Sequence, residues 1–111
     1  MSKILKKIDF LLRALLIVKV TIFFALQEIV QRKIFRQMDK SYQNARNWSS
    51  ILLTLCGAKL NIKYETEIDK SHSYIYVSNH SSLYDIPTAT VAIEDDIRII
   101  YKKELEKIPI F

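Results

Sequence analysis

His80 and Asp85 are the residues of this 111-residue chain whose types and spacing best suit chemistry. They stand in Val77-Ser78-Asn79-His80-Ser81-Ser82-Leu83-Tyr84-Asp85, where an apolar run gives way to a serine-rich one. On one continuous helix five residues turn through about 500°, so the two side chains diverge. They meet only if His80 sits on a turn and Asp85 in the first helical turn behind it. A carboxylate held there accepts from one ring nitrogen, fixes the tautomer and leaves the other nitrogen as a general base. The same residues have a plainer reading. Ser82-x-x-Asp85 is a capping box, in which Asp85 only accepts a backbone N–H and His80 is an ordinary loop histidine. Ser81 and Ser82 lack the Gly-x-Ser-x-Gly elbow and the glycine-rich oxyanion loop of a serine nucleophile. Cys56, His72 and His80 show no recurring metal-ligand spacing, so no metal is expected. Cys56 has no partner for an internal disulfide, lies in an apolar stretch and reads as a small buried hydrophobe in a reducing compartment.

The elements that must position this pair change character at Gly57, the only glycine in the chain. Beyond it, Leu60, Ile62 and Tyr64 alternate with Lys59, Asn61, Lys63 and Glu65, the pattern of a half-buried strand. Residues 66–73 form a polar loop, and 74–78 a second, almost continuously apolar strand. Residues 83–93 are predicted helical, 94–96 a turn, 97–101 a third strand, and 103–107 a short helical stretch. Strand, helix, strand at this spacing predicts a βαβ-type unit with a parallel sheet, whose strand ends are where such proteins place ligands. Before Gly57, Val30, Ile34, Met38, Ala45, Trp48, Leu52 and Leu55 recur at steps of three, four or seven. That spacing predicts an amphipathic helix over 28–55, with Gly57 as its left-handed stop and a break conceivable within 44–50.

The first forty residues hold nine basic and three acidic side chains; the rest hold eight and nine. Basicity is thus an N-terminal property, interleaved with Leu, Ile, Val and Phe. Anionic lipid is the expected partner and nucleic acid is not. At 100° per residue Lys3, Lys6, Lys7, Asp9, Arg13, Gln27 and Glu28 share an arc opposite Ile4, Leu11, Leu12, Leu15, Ile22, Phe23 and Leu26. Phe10, Ile17 and Phe24 fall within the polar arc and Lys19 outside it. A helix lying in the membrane interface is expected first, a true span second and a cleaved signal peptide third. The chain is too short for two independent domains, too apolar for a disordered tail, and too poor in glycine and proline for a small β-barrel or a repeat array.

Asn79-His80-Ser81-Ser82-Leu83-Tyr84-Asp85 resembles the Asn-His-x-x-x-x-Asp block of the glycerolipid acyltransferases. The run from Tyr101 to Phe111, with Lys102-Lys103-Glu104-Leu105 and Pro109, resembles the Lys-x-Glu-Leu…Pro segment that follows it. Within that family the nearest group is the 1-acylglycerol-3-phosphate acyltransferases of bacterial type. The resemblance covers roughly residues 45–111; residues 1–57 resemble the family's membrane-docking region in kind more than in sequence.

The resemblance implies that His80 is the general base for a free glycerol hydroxyl of lysophosphatidate and that Asp85 orients it. It implies that the acyl donor is acyl-CoA or acyl-carrier protein, with no other cofactor. Asn79 and Ser82 are expected to shape the turn and border the substrate, and Lys102 to grip its phosphate. Location on the cytoplasmic face of the membrane is expected. Two alternatives stand beside this: transfer to another lysolipid or an amino-acid lipid, and a non-catalytic, basic, peripheral membrane-binding protein. The family continues into further blocks, including Glu-Gly-Thr-Arg, which these residues lack, so an N-terminal fragment with reduced or absent activity is expected. The expected architecture is therefore α/β: a membrane-associating helix pair over 1–57, then the start of a βαβ-type sheet over 58–111, incomplete at its C-terminus.

Overall fold

The computed structural model describes residues 2–100 and 103–107. Helix α1 (Lys3–Ile29) opens on Ser2, whose hydroxyl accepts from the Leu5 N–H at 3.3 Å. It runs into a six-residue π-helical turn, Val30–Phe35. Arg36 then takes a left-handed conformation, φ 51°, and the chain doubles back into helix α2 (Met38–Leu55). The helix expected over 28–55 is therefore two pieces. Val30 and Ile34 finish the first limb of a hairpin, while α2 runs unbroken through 44–50.

Gly57 ends α2 as its position suggested. With φ 72°, it donates its N–H to Thr54 O at 3.0 Å while Ala58 N–H reaches Leu53 O at 2.9 Å. These are the two bonds of a Schellman stop. Helix α3 (Asp85–Ala92) follows, with Pro87 in its first turn where no N–H is missed. Lys103–Lys107 form a short 3₁₀ turn.

Along α1 and the π-helical turn that continues it, the residues partly covered by α2 include Ala14, Ile17, Thr21, Phe24, Glu28 and Gln31. Their alternating steps of three and four are those of a helix-pair seam. The seam turns polar toward the hairpin end. Glu28 and Arg32 bond Ser41, Gln31 accepts from the Asn44 amide, and the Trp48 indole donates to Thr21 Oγ1 at 3.1 Å. On α2 the buried residues are Ser41, Asn44, Ser49 and Leu53, three of them polar, while α1 has none fully buried. Helix α2 packs against both α1 and α3, which do not pack against each other. Ile17 and Phe24, placed in the polar arc by the helical wheel, thus face the partner helix. The apolar arc faces away.

The expected α/β architecture is wrong for the described residues, which are helical and contain no strand and no sheet. Residues 59–64, 74–80 and 97–100 form no backbone ladder with one another. The period-two pattern itself survives: Ile75 and Val77 are each 90% exposed, while Tyr74 and Tyr76 turn the other way and their rings meet at 6.2 Å. Alternation reports an extended chain with two unlike faces, but a strand requires a partner backbone, and that is a non-local matter. Side chains tether these segments instead. Tyr64 donates its hydroxyl proton to Ala92 O at 2.6 Å, Tyr76 to Asp95 at 2.9 Å, and Arg98 reaches Tyr42 at 3.1 Å. Arg46 bonds Asp95 O and pairs with Asp96 at 3.4 Å, closing the turn after α3 onto α2.

Candidate active site

Residues 78–84 lead from an extended segment into α3, and the turn at Ser82 is closed by Asp85 N–H donating to Ser82 O at 3.1 Å. This bend swings Asp85 back under the loop. One carboxylate oxygen, Oδ2, accepts from Ser81 N–H at 2.7 Å, from Ser82 N–H at 2.9 Å and from His80 Nδ1 at 3.0 Å. The two readings of Asp85 are therefore realised together. The carboxylate that closes the capping turn is the one that meets the imidazole. The serine half of the box is shifted by one residue, since Ser82 Oγ accepts from Tyr84 N–H at 3.2 Å.

The backbone N–H groups of Ser82 and Ser81, and behind them His80, hold the Asp85 carboxyl below the usual aspartate range. A charged carboxylate at Nδ1 keeps the ring proton on that nitrogen. Nε2 is left with its lone pair, the form required of a general base. The His80 side chain is 65% exposed and that of Asp85 32%. The pair thus works at a wet surface, where hydrogen bonds orient more than they stabilise.

Asn79 is exposed and its side chain makes no hydrogen bond among the described residues. Lys102 lies outside the described residues, so its distance from His80 is not defined. The structure adds a neighbour that no local pattern signals. The Tyr84 phenol stands near the Cys56 thiol at the end of α2, which pushes the phenol above its ordinary range. Arg13, paired with Asp9 at 2.9 Å, donates to Leu55 O at 3.1 Å on that same helix end. Both contacts join residues far apart in sequence, and periodicity carries no information about them.

The second histidine looks similar and works differently. Asp69 Oδ2 and Ser71 Oγ both lie on His72 Nδ1, at 2.9 and 3.0 Å. A serine–histidine–carboxylate relay requires the two on opposite ring nitrogens, so this is an exposed turn and not a triad. One cavity of about 280 Å³ lies beside the hairpin turn at Gln31, Phe35 and Lys40, and another of about 80 Å³ between α2 and Asp95. Neither includes His80 or Asp85. Among the described residues no three His, Cys, Asp or Glu side chains converge as metal ligands.

Comparison with known proteins points the same way as the His80 loop. Residues 59–111 match the family model described as Acyltransferase. No curated protein and no solved structure matches the chain. The match supports a glycerolipid acyltransferase family for this segment and, with it, acyl transfer as the general chemistry.

Proposed function

We propose that the chain transfers an acyl group from acyl-CoA or acyl-carrier protein to the free hydroxyl of lysophosphatidate, giving phosphatidate, as a membrane-associated protein of the cytoplasmic face. The observation that carries this reading is the 3.0 Å contact between His80 Nδ1 and an Asp85 carboxylate pinned by two backbone N–H groups. Nε2 takes the hydroxyl proton as the oxygen attacks the thioester carbonyl. The tetrahedral adduct collapses with cleavage of the carbon–sulfur bond, and the imidazolium returns its proton to the departing thiolate. Asp85 stabilises the imidazolium between those events. Lys102 is assigned to the substrate phosphate, and Asn79 and Ser82 to the walls of the turn.

The test is transfer of a labelled acyl group from acyl-CoA to lysophosphatidate by the purified chain. His80→Ala is expected to lower the rate roughly 10²–10⁴-fold with lipid binding kept. Activity near wild type in that variant removes the catalytic assignment. A His80-dependent rate that is higher with another lysolipid or an amino-acid lipid replaces the acceptor and keeps the base. The 65% exposure of His80 favours a second reading, a basic membrane-binding protein without catalysis. It predicts no transfer to any acceptor and lipid binding indifferent to position 80.

A further inference from the structure

Phe10 is the residue of α1 that the hairpin leaves unexplained. Of the three apolar side chains that fall within the polar arc, Ile17 and Phe24 pack toward α2, whereas Phe10 is 68% exposed. Its place follows from the register of the pair. Glu28 meets Ser41, Thr21 meets Trp48, and Arg13 meets Leu55, the last residue of α2. Residues 3–12 therefore run about 15 Å past that end, and every residue from 2 to 13 is exposed. Because about five turns take 18 residues, Lys3, Lys6 and Phe10 lie on the same lines as Thr21, Phe24 and Glu28, which belong to the seam. Lys7 stands one step of three before Phe10, at the edge of that face. The overhang thus continues the α2-facing surface where no α2 covers it.

What this face looks toward is set by α3, which packs on α2 and not on α1. Arg46 bonds Asp95 O beyond the end of α3, while Tyr84 at its start stands near Cys56, so α3 runs back along α2. The His80 loop and the overhang therefore share one end of α2, roughly 16–20 Å apart if two helix-packing distances separate them. Lys3, Lys6 and Lys7 make no ion pair among the described residues, and Asp9, the one acid before Glu28, is bound to Arg13. With no acid in the first turn, these lysines face the positive end of the helix dipole unshielded, a cost that a bound anion relieves. The ring selects the anion. A lipid phosphate or an acidic protein surface gives the lysines a partner but leaves Phe10 nothing to stack on, whereas a nucleotide brings both phosphates and a base. We infer that the overhang holds the adenosine phosphates of acyl-CoA, with Lys3, Lys6 and Lys7 on the phosphates and Phe10 against the adenine. The pantetheine arm then crosses the end of α2 and carries the thioester to His80. This rests on the acyl-transfer reading above and selects CoA over acyl-carrier protein as the donor.

Calorimetric titration of the whole chain with CoA, which has no acyl chain to enter a lipid phase, tests the site apart from transfer. Wild type is expected to bind. Lys6→Gln with Lys7→Gln should weaken binding about tenfold, while Lys33→Gln with Lys40→Gln, an equal change of charge at the other end of the hairpin, should leave it unchanged. All four lysines are exposed, so neither pair carries a packing cost. Phe10→Leu should weaken CoA binding about fivefold and leave that of 4′-phosphopantetheine, which lacks the adenosine, as it was. Absence of CoA binding by wild type, or an equal loss in both lysine pairs, overturns the site. Loss of binding to phosphatidylglycerol vesicles in Lys6→Gln with Lys7→Gln, with CoA affinity intact, assigns those lysines to lipid and overturns it as well. Unchanged CoA affinity in Phe10→Leu overturns the base contact. CoA binding that depends on Lys6 and Lys7 in a chain without transfer activity supports the site and removes the catalytic reading. His80-dependent transfer with the same KM for acyl-CoA in wild type and the Lys6, Lys7 variant keeps the catalytic reading and overturns the site.

Discussion

Asp85 Oδ2 takes three donors, two of them backbone N–H groups that no substitution short of proline removes. Asp85→Asn therefore keeps an acceptor in place but loses the charge that holds the proton on His80 Nδ1 and supports an imidazolium. Its expected effect is a fall in transfer rate of about a hundredfold or more with little change in helix content, read by steady-state kinetics beside circular dichroism. The depressed carboxyl also sets a pH dependence. Because the folded-state pKa lies below the unfolded one, the carboxylate's contribution to stability is complete above the ordinary aspartate range. It is lost as pH falls through the depressed folded value. Denaturant melts of wild type and Asp85→Asn should differ at neutral pH and converge in acid; a gap that widens in acid would contradict the assignment. At this scale the sequence was informative, since a histidine and an aspartate five apart across a serine-rich turn meet only in the conformation found. It did not say that the capping contact and the imidazole contact fall on one oxygen.

Two left-handed residues frame α2, and they differ in cost. Gly57 at φ 72° is where only glycine is free of strain, and no heavy atom lies within 4 Å of an added Cβ. Gly57→Ala should thus cost about 1–2 kcal/mol through the backbone alone, measured as a shift in urea midpoint at constant slope. Arg36 at φ 51° carries the same penalty in the native chain, so Arg36→Gly is expected to recover up to about 1 kcal/mol. Between them, Ser49 is 1% exposed and its hydroxyl has no hydrogen-bond partner among the described residues. Ser49→Ala should raise stability by about 1 kcal/mol, because the cost of an unsatisfied buried hydroxyl disappears while the shape barely changes. The glycine stop was legible because one residue type is singular in its conformational freedom. The break at Arg36 was not, since nothing in the type of an arginine announces positive φ.

Across the molecule, Leu53, 4% exposed, is the buried apolar side chain at the centre of the helix packing, while most large apolar side chains of α1 lie outside. A fold with so little apolar interior should be sensitive there. Leu53→Ala is expected to cost about 2–5 kcal/mol, comparable to the whole stability of a small domain, and to show as loss of cooperative melting. Addition of anionic vesicles should raise the melting temperature of the wild type, since a surface that binds only the folded hairpin stabilises it by mass action.

Residue types and their periods, by themselves, determined that the N-terminal half is helical, where α2 stops, and that the N-terminal limb is basic and two-faced, and a motif near His80 pointed to an acyltransferase pattern in the segment that a family model also matches. These are local properties: a period follows from backbone geometry, and a turn from the few residues within it. Tertiary structure alone decided which face of α1 is covered, that the covered face is the one carrying Glu28 and Gln31, and that the alternating segments after Gly57 have no ladder among the described residues. Each of these depends on a partner distant in sequence, and a side-chain pattern states what an element could bury or pair without naming the element that meets it.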